Sequence, residues 1–226
     1  MTNLAIKLDT AMPAHIAASL EGVGRGNENV GSNVVIPRIK LLQKMSNEVD
    51  KHHKEYIKGA EVGDFINTLT KQTATDIYCL SLSFTVQWAV WRDIDLGGGF
   101  GGSFSTEEEA VQCKDGQENP QEWAIKENHA HLILVKNPET GDLETAPVMF
   151  DFTGSKLATS RAWNSKIAMQ GGDRFASLWR ISSKSVESKS GFSYMNLDLD
   201  CVGWAQKEDF EIAEALYEKY AKTSFA

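Results

Sequence analysis

The stretch IYCLSLSFTVQWAVW, residues 77–91, decides how this chain is read. It is rich in β-branched and aromatic residues and alternates in part between apolar and polar positions, the pattern of a β-strand. It is too long for one flat strand, so it is expected to bend as the strands of a barrel do. Strand character continues on both sides. Upstream, VVIPRIKLLQKM is a short apolar run interrupted by Pro37, which suggests an edge strand or the passage from a turn into a strand. In EYIKGAEVGDFINTLT, Gly59 and Gly63 punctuate turns between short extended pieces.

Downstream, HAHLILVKNPETGDLETAPVMFDFTG reads as a hairpin around the turn from Asn137 to Gly141. The period then changes. In SKLATSRAWNSKIAMQGG, the positions Leu157, Arg161, Trp163 and Ile167 suit a helix that Gly171 closes, with Trp163 as packing. FASLWRISSKSVES and GFSYMNLDLDCVGWA return to strand. KEDFEIAEALYEKYAKT places Phe210, Ala213, Leu216, Tyr217 and Tyr220 at helical spacing, acidic early and basic late, as the helix dipole favours. Five to seven strands joined by turns, one internal helix and a C-terminal helix define an α+β, mainly β class: an OB-like small antiparallel barrel or curled sheet. Residues 1–33 are expected to be a mobile arm, 34–205 the β-rich domain, and 206–226 a helix that packs on it or mediates association.

The 226 residues are 42% hydrophobic, enough for a core without staples. Cys79, Cys113 and Cys201 form no C-x-x-C pair, which argues against a disulfide framework and a zinc knuckle and for a reducing cytoplasm. A leader or membrane-spanning segment is not expected. The net charge is −8, but it is unevenly spread. From Thr153 to Ser190 seven basic residues face two acidic ones, whereas Thr106 to Glu144 holds ten acidic residues and three lysines. One region could meet an anion and the other repel it.

Motifs for chemistry are weak. Gly97, Gly99 and Gly102 have G-x-G-x-x-G spacing, but the following SFSTEEEAVQCKDGQENP reads as an acidic segment without a buried helix face, so the glycines are expected to form a flexible loop. His129 and His131 share a strand face and could share a metal, yet further ligands are not evident and hydrogen-bonding histidines fit better. No G-x-S-x-G occurs. The chain is therefore not expected to be an enzyme or to hold a cofactor or metal. Asp198 and Asp200 read as a solvated strand face.

What stands out is aromatic residues interleaved with basic ones. Trp88, Trp91 and Arg92 lie on the longest strand, and Phe100 lies beside the glycines. Arg174, Trp179 and Arg180 flank the strand after the internal helix, with Lys184 and Tyr194 beyond. Single-stranded nucleic acid is held by base stacking on aromatic faces within a positive groove.

IPRIKLLQKMSNEV, EYIKGAEVGDFINTLT, the tryptophan strand with its glycine loop, and above all TGSKL at 153–157 with SRAWN at 160–164 resemble a group of tailed-bacteriophage replication-region proteins. Members are described as single-stranded-DNA-binding proteins with an OB-like barrel. The resemblance covers roughly residues 34–220. It implies a non-specific coat for unwound DNA in replication or recombination, with Trp88, Trp91, Lys156, Arg161, Arg180 and Lys184 as groove residues. Phage or host replication proteins and a homodimer are further partners it admits. One departure is the end of the chain, where no acidic run directly precedes Phe225. The alternative is a phage protein that binds a host or virion protein through its acidic surface.

Overall fold

The computed structural model describes residues 36–188 and 190–220, and the expected arm, Lys189 and Phe225 lie outside them. The strands are β1 (Arg38–Leu41), β2 (Phe65–Asn67), β3 (Thr73–Ala74), β4 (Asp76–Arg92), β5 (Phe100–Phe104), β6 (Trp123–Lys136), β7 (Val148–Thr153), β8 (Ser177–Glu187) and β9 (Ser193–Trp204). The α-helices are α1 (Glu107–Asp115), α2 (Leu157–Gln170) and α3 (Lys207–Tyr220). The chain is thus mixed α+β and mainly strand. The described residues hold more strands than the sequence suggested, and α1 is an additional internal helix.

All the strands belong to one curled sheet in the order β3-β2-β1-β7-β6-β4-β8-β9, with β5 on β4 outside that path. Every pairing is antiparallel except β1 with β7. The long strand β4 makes this possible. β6 follows nearly all of one side, while β8 takes residues 76–80 of the other side and β5 takes residues 88–91. Register shifts at Ser81/Ser83 and Val90/Trp91 put the expected bend into the strand as bulges. Pro37 immediately precedes β1 and its carbonyl accepts from Met149 N. β1 is therefore interior to the sheet, with proline tolerated at its threshold because no ladder N–H is demanded there.

Both faces of the sheet centre are covered. Ile133, Phe150, Phe152, Trp179 and Ile181 form one core with Trp163 of α2. Leu80, Leu132, Leu134, Met149 and Phe175 form the other with Ala213 of α3. Ile133 and its neighbours Leu132 and Leu134 are all at most 1% exposed, so β6 is buried on both sides and its HLILV run needs no polar alternation. Lys136 pairs with Asp209 and anchors the start of α3 to the sheet.

The sheet curls until the connection between β1 and β2 reaches β9. The side-chain amide of Gln43, just after β1, donates to Met195 O at 2.9 Å and accepts from Met195 N at 2.9 Å, imitating a strand residue beside β9. Gly63 lets the loop after it approach, since a Cβ there would lie 2.8 Å from Met195 Cε and its φ is +102°. From α2, Lys166 Nζ donates to Leu199 O at 2.9 Å and Thr159 Oγ1 reaches Leu197 O at 3.5 Å. Side chains thus seal the outer edge of β9 that would otherwise invite another strand. No helix among the described residues is long and apolar enough to cross a membrane.

Replacing Gln43 with Ala strips both partners from half-buried Met195, and each lost hydrogen bond of this kind costs about 0.5–1.5 kcal/mol. The urea midpoint of Gln43→Ala is expected to fall while the slope of the transition is unchanged.

Candidate functional site

The second half of β4, with β5 and the start of β6, forms an arm, and its glycines have a packing role. A Cβ on Gly101 would lie 3.1 Å from Trp123 Cζ3 and from Val90 Cγ1, and one on Gly102 would lie 2.9 Å from Phe104 Cζ. Aromatic rings approach backbone that only glycine leaves clear. The expected flexible loop is therefore corrected: residues 100–104 are a strand paired with β4. The acidic segment is corrected too, because it forms α1, whose Thr106 Oγ1 accepts from Glu109 N while Glu109 Oε2 accepts from Thr106 N, and whose Ala110 is fully buried. That capping box was legible as Thr106…Glu109. The dinucleotide reading stays excluded. Glu107, Glu108 and Glu109 crowd the first turn of α1, and the capping box occupies N–H donors that an anion would need.

Cross-strand pairing assigns the faces of the arm. Trp88, Val90, Ile125 and Glu127 share one, and fully buried Val90 marks it as covered. Trp91, Ala89, Ala124 and Lys126 share the other, which continues the α3 face beyond that helix and is open among the described residues. Trp91 is 43% and Phe100 57% exposed, with ring centroids 4.7 Å apart and a tilt of 46°. The turn at the tip is a 3-10 helix, Ile94–Leu96, whose Asp93 carboxylate accepts from Asp95 N at 3.0 Å. Ile94 is 84% exposed.

Of the residues expected to line a groove, Trp91 and Phe100 come together on this bare face. Trp88 lies on the opposite face, half-buried across from Glu127. The basic residues are dispersed and mostly engaged. Arg92 donates to Glu122 at 2.8 Å, Arg161 to Glu127 at 2.9 Å, Arg180 to Asp76 at 3.2 Å and Lys184 to Asp198 at 3.0 Å. Half-buried Lys156 opens α2, and burial lowers its pKa, an effect that Asp151 partly offsets. Tyr194 is half-buried on β9. Trp179 has no exposed surface, so it offers no face to a base without opening the fold, whereas half-buried Arg174 gives its donors to Ser81, Asn164 and His131. The excess of positive charge along residues 153–190 is a property of sequence that folding distributes over several elements.

Arg174 ends a chain of buried polar contacts that sequence spacing could not reveal. Its Nε donates to Ser81 Oγ at 2.8 Å, and its Nη2 to Asn164 Oδ1 at 2.7 Å and His131 Nδ1 at 3.0 Å. A guanidinium only donates, so His131 carries its proton on Nε2 and gives it to Ser160 Oγ, 2.7 Å away. Ser160 Oγ is also 2.8 Å from His129 Nδ1, and His129 Nε2 is 2.9 Å from Glu127 Oε1. The direction of donation is consistent when Ser160 donates to His129 and His129 to Glu127, which also accepts from Arg161. His131 stacks on Trp163 at 4.4 Å and 11°. The serine, histidine and carboxylate have the connectivity of a nucleophile triad, but Ser160 is wholly buried. Among the described residues no group of His, Cys, Asp and Glu could hold a metal ion.

Fold and site together define a mainly β domain with an open aromatic arm and an interior tied by a histidine-serine chain. The model of the Pam3 phage gp34-like protein family matches residues 7–226, and the chain belongs to that family, a bacteriophage one. No curated protein and no solved structure matches it.

Burial, and then the charge of Arg174, depress the pKa of His131 to about 2 from its usual 6.5. Between these values the unfolded chain binds a proton that the folded one refuses, so stability is full above pH 6.5 and falls as pH drops. His131 is expected to contribute a slope of up to about 1.4 kcal/mol per pH unit between roughly pH 4.5 and 6.5, above the range where carboxylates protonate. Urea unfolding across that window checks it. His131→Asn, which keeps an acceptor for Arg174, is expected to be less stable at pH 7 and to show a shallower slope.

Proposed function

We propose that the protein binds single-stranded DNA of the phage, without sequence preference and without catalysis, on the bare face of the β5–β4–β6 arm. The observation that carries this reading is the exposed pair of Trp91 and Phe100 on an uncovered sheet face, with exposed Lys126 on the same face. Every base has a π-face, so stacking holds a strand whatever its sequence, at about 1–3 kcal/mol per base. An open, curled sheet serves this purpose as the face of an OB barrel does. Membership of a phage family agrees with the setting. Because carboxylates already engage Arg92, Arg161, Arg180 and Lys184, few free cations meet phosphate, and stacking carries most of the affinity.

A second reading has its own support. At the tip, exposed Ile94 and Leu96 alternate with exposed Asp93 and Asp95 in a chain of net charge −8, which suits a basic protein surface of host or virion.

Titration of tryptophan fluorescence with oligo-dT at low salt tests the first reading. Quenching is expected, and Trp91→Ala or Phe100→Ala should each weaken binding by about 5- to 150-fold, the span of one lost stacking contact. Lys184→Ala should change little. The logarithm of affinity should fall with the logarithm of salt at a slope of only about −1, since each neutralised phosphate contributes about −0.7. An absence of quenching at low salt rejects this reading. A stoichiometric host protein retained after nuclease treatment, and lost in Ile94→Asp, supports the second.

A further inference from the structure

We propose that the protein self-associates through an uncharged patch where the end of α2 meets the end of β9, with a second copy of the chain as its occupant. Met169 is 87%, Val202 52% and Trp204 66% exposed. The ends of the two elements that carry them are joined. Gln170 Nε2 lies 3.2 Å from Cys201 Sγ, and Ser177, the cross-strand partner of Trp204, donates to Gln170 Oε1 at 2.8 Å.

Two observations favour a second copy over other occupants. The first is charge. Two chains of net charge −8 repel each other unless they meet where carboxylates are missing. The segments IAMQGG, residues 167–172, and CVGWA, residues 201–205, carry no charged side chain. The same lack of charge gives a nucleic acid or a strongly basic partner nothing to recognise.

The second is the edge of the sheet. Gln43, Thr159 and Lys166 occupy the outward backbone of β9 at Met195, Leu197 and Leu199, and the sealed stretch ends there. Beyond it, exposed Val202 and Trp204 carry large apolar side chains instead. The bulge at Leu178/Trp179, which leaves Val202 without a cross-strand partner, limits main-chain pairing. Contact is therefore through side chains. A twofold axis beside Val202 sets Trp204 of one protomer against Met169 and Val202 of its partner, a self-complementary arrangement with neither a buried charge nor an open end.

Sedimentation velocity on the full chain, without nucleic acid and from about 5 to 200 μM, tests this independently of DNA binding. The 25.0 kDa species is expected to give way to one of twice that mass as concentration rises. Trp204→Glu should raise the dissociation constant at least about tenfold, as loss of a central aromatic does. Phe192→Glu, at the other end of the β8–β9 hairpin, should leave it unchanged. Both positions are exposed, so circular dichroism should match the parent. A parent chain that stays at 25.0 kDa throughout overturns the proposal. So does a dimer that Trp204→Glu leaves intact.

Discussion

A positive charge half-buried in the fold, without a carboxylate partner among the described residues, governs the centre of this structure. Arg174 stands in the short turn after α2, and its guanidinium is received by Ser81 of β4, His131 of β6 and Asn164 of α2. All three acceptors are uncharged. The rings of Phe84 and Trp163 lie 5.4 and 5.9 Å from the guanidinium carbon and add attraction from their faces. Burial lowers its pKa to about 10, which still leaves it charged. Such a group is tolerable only while its donors are met. One side chain therefore holds two strands and a helix in a fixed relation, and through His131 and Ser160 that order extends to Glu127 near the surface.

The same network shows why the sequence exposed the elements and concealed their meeting. The strand pattern of residues 77–91, the glycine-closed helix around Trp163 and the C-terminal amphipathic helix all follow from local periodicity, and each is present. Periodicity also placed His129 and His131 on one face. It could not show that Ser160, on a helix some thirty residues later, would lie between them. Nor could it show that β5 would pair beside β4, because FGGSF lacks strand propensity and depends on Trp123 and Phe104 to cover its glycines.

The expected groove was legible in a different way. Residue type suggested aromatic and basic contacts, but exposure and pairing are properties of the fold. Trp179 has the composition of a stacking residue and the position of a core residue, since strand alternation turns it towards Trp163. Arg161 and Glu127 are 34 residues apart in sequence and joined in space. A count of charges along the chain treats them as separate, and the fold makes them one neutral unit. Trp91 and Phe100 remain because the arm extends past both covering helices.

The amide of Gln43 that completes the edge of β9 also imposes an order of events. Its partner lies 152 residues further along, so the contact forms only after almost the whole domain has been synthesised. β1 likewise waits for β7, its parallel neighbour, before it has ladders on both sides. Contacts of such long range slow folding and leave early strands unpaired while the chain emerges from the ribosome. The N-terminal strands therefore gain their last main-chain neighbour with β7 and their tie to the far edge with Met195, so closure of the sheet is the final step as the chain is synthesised.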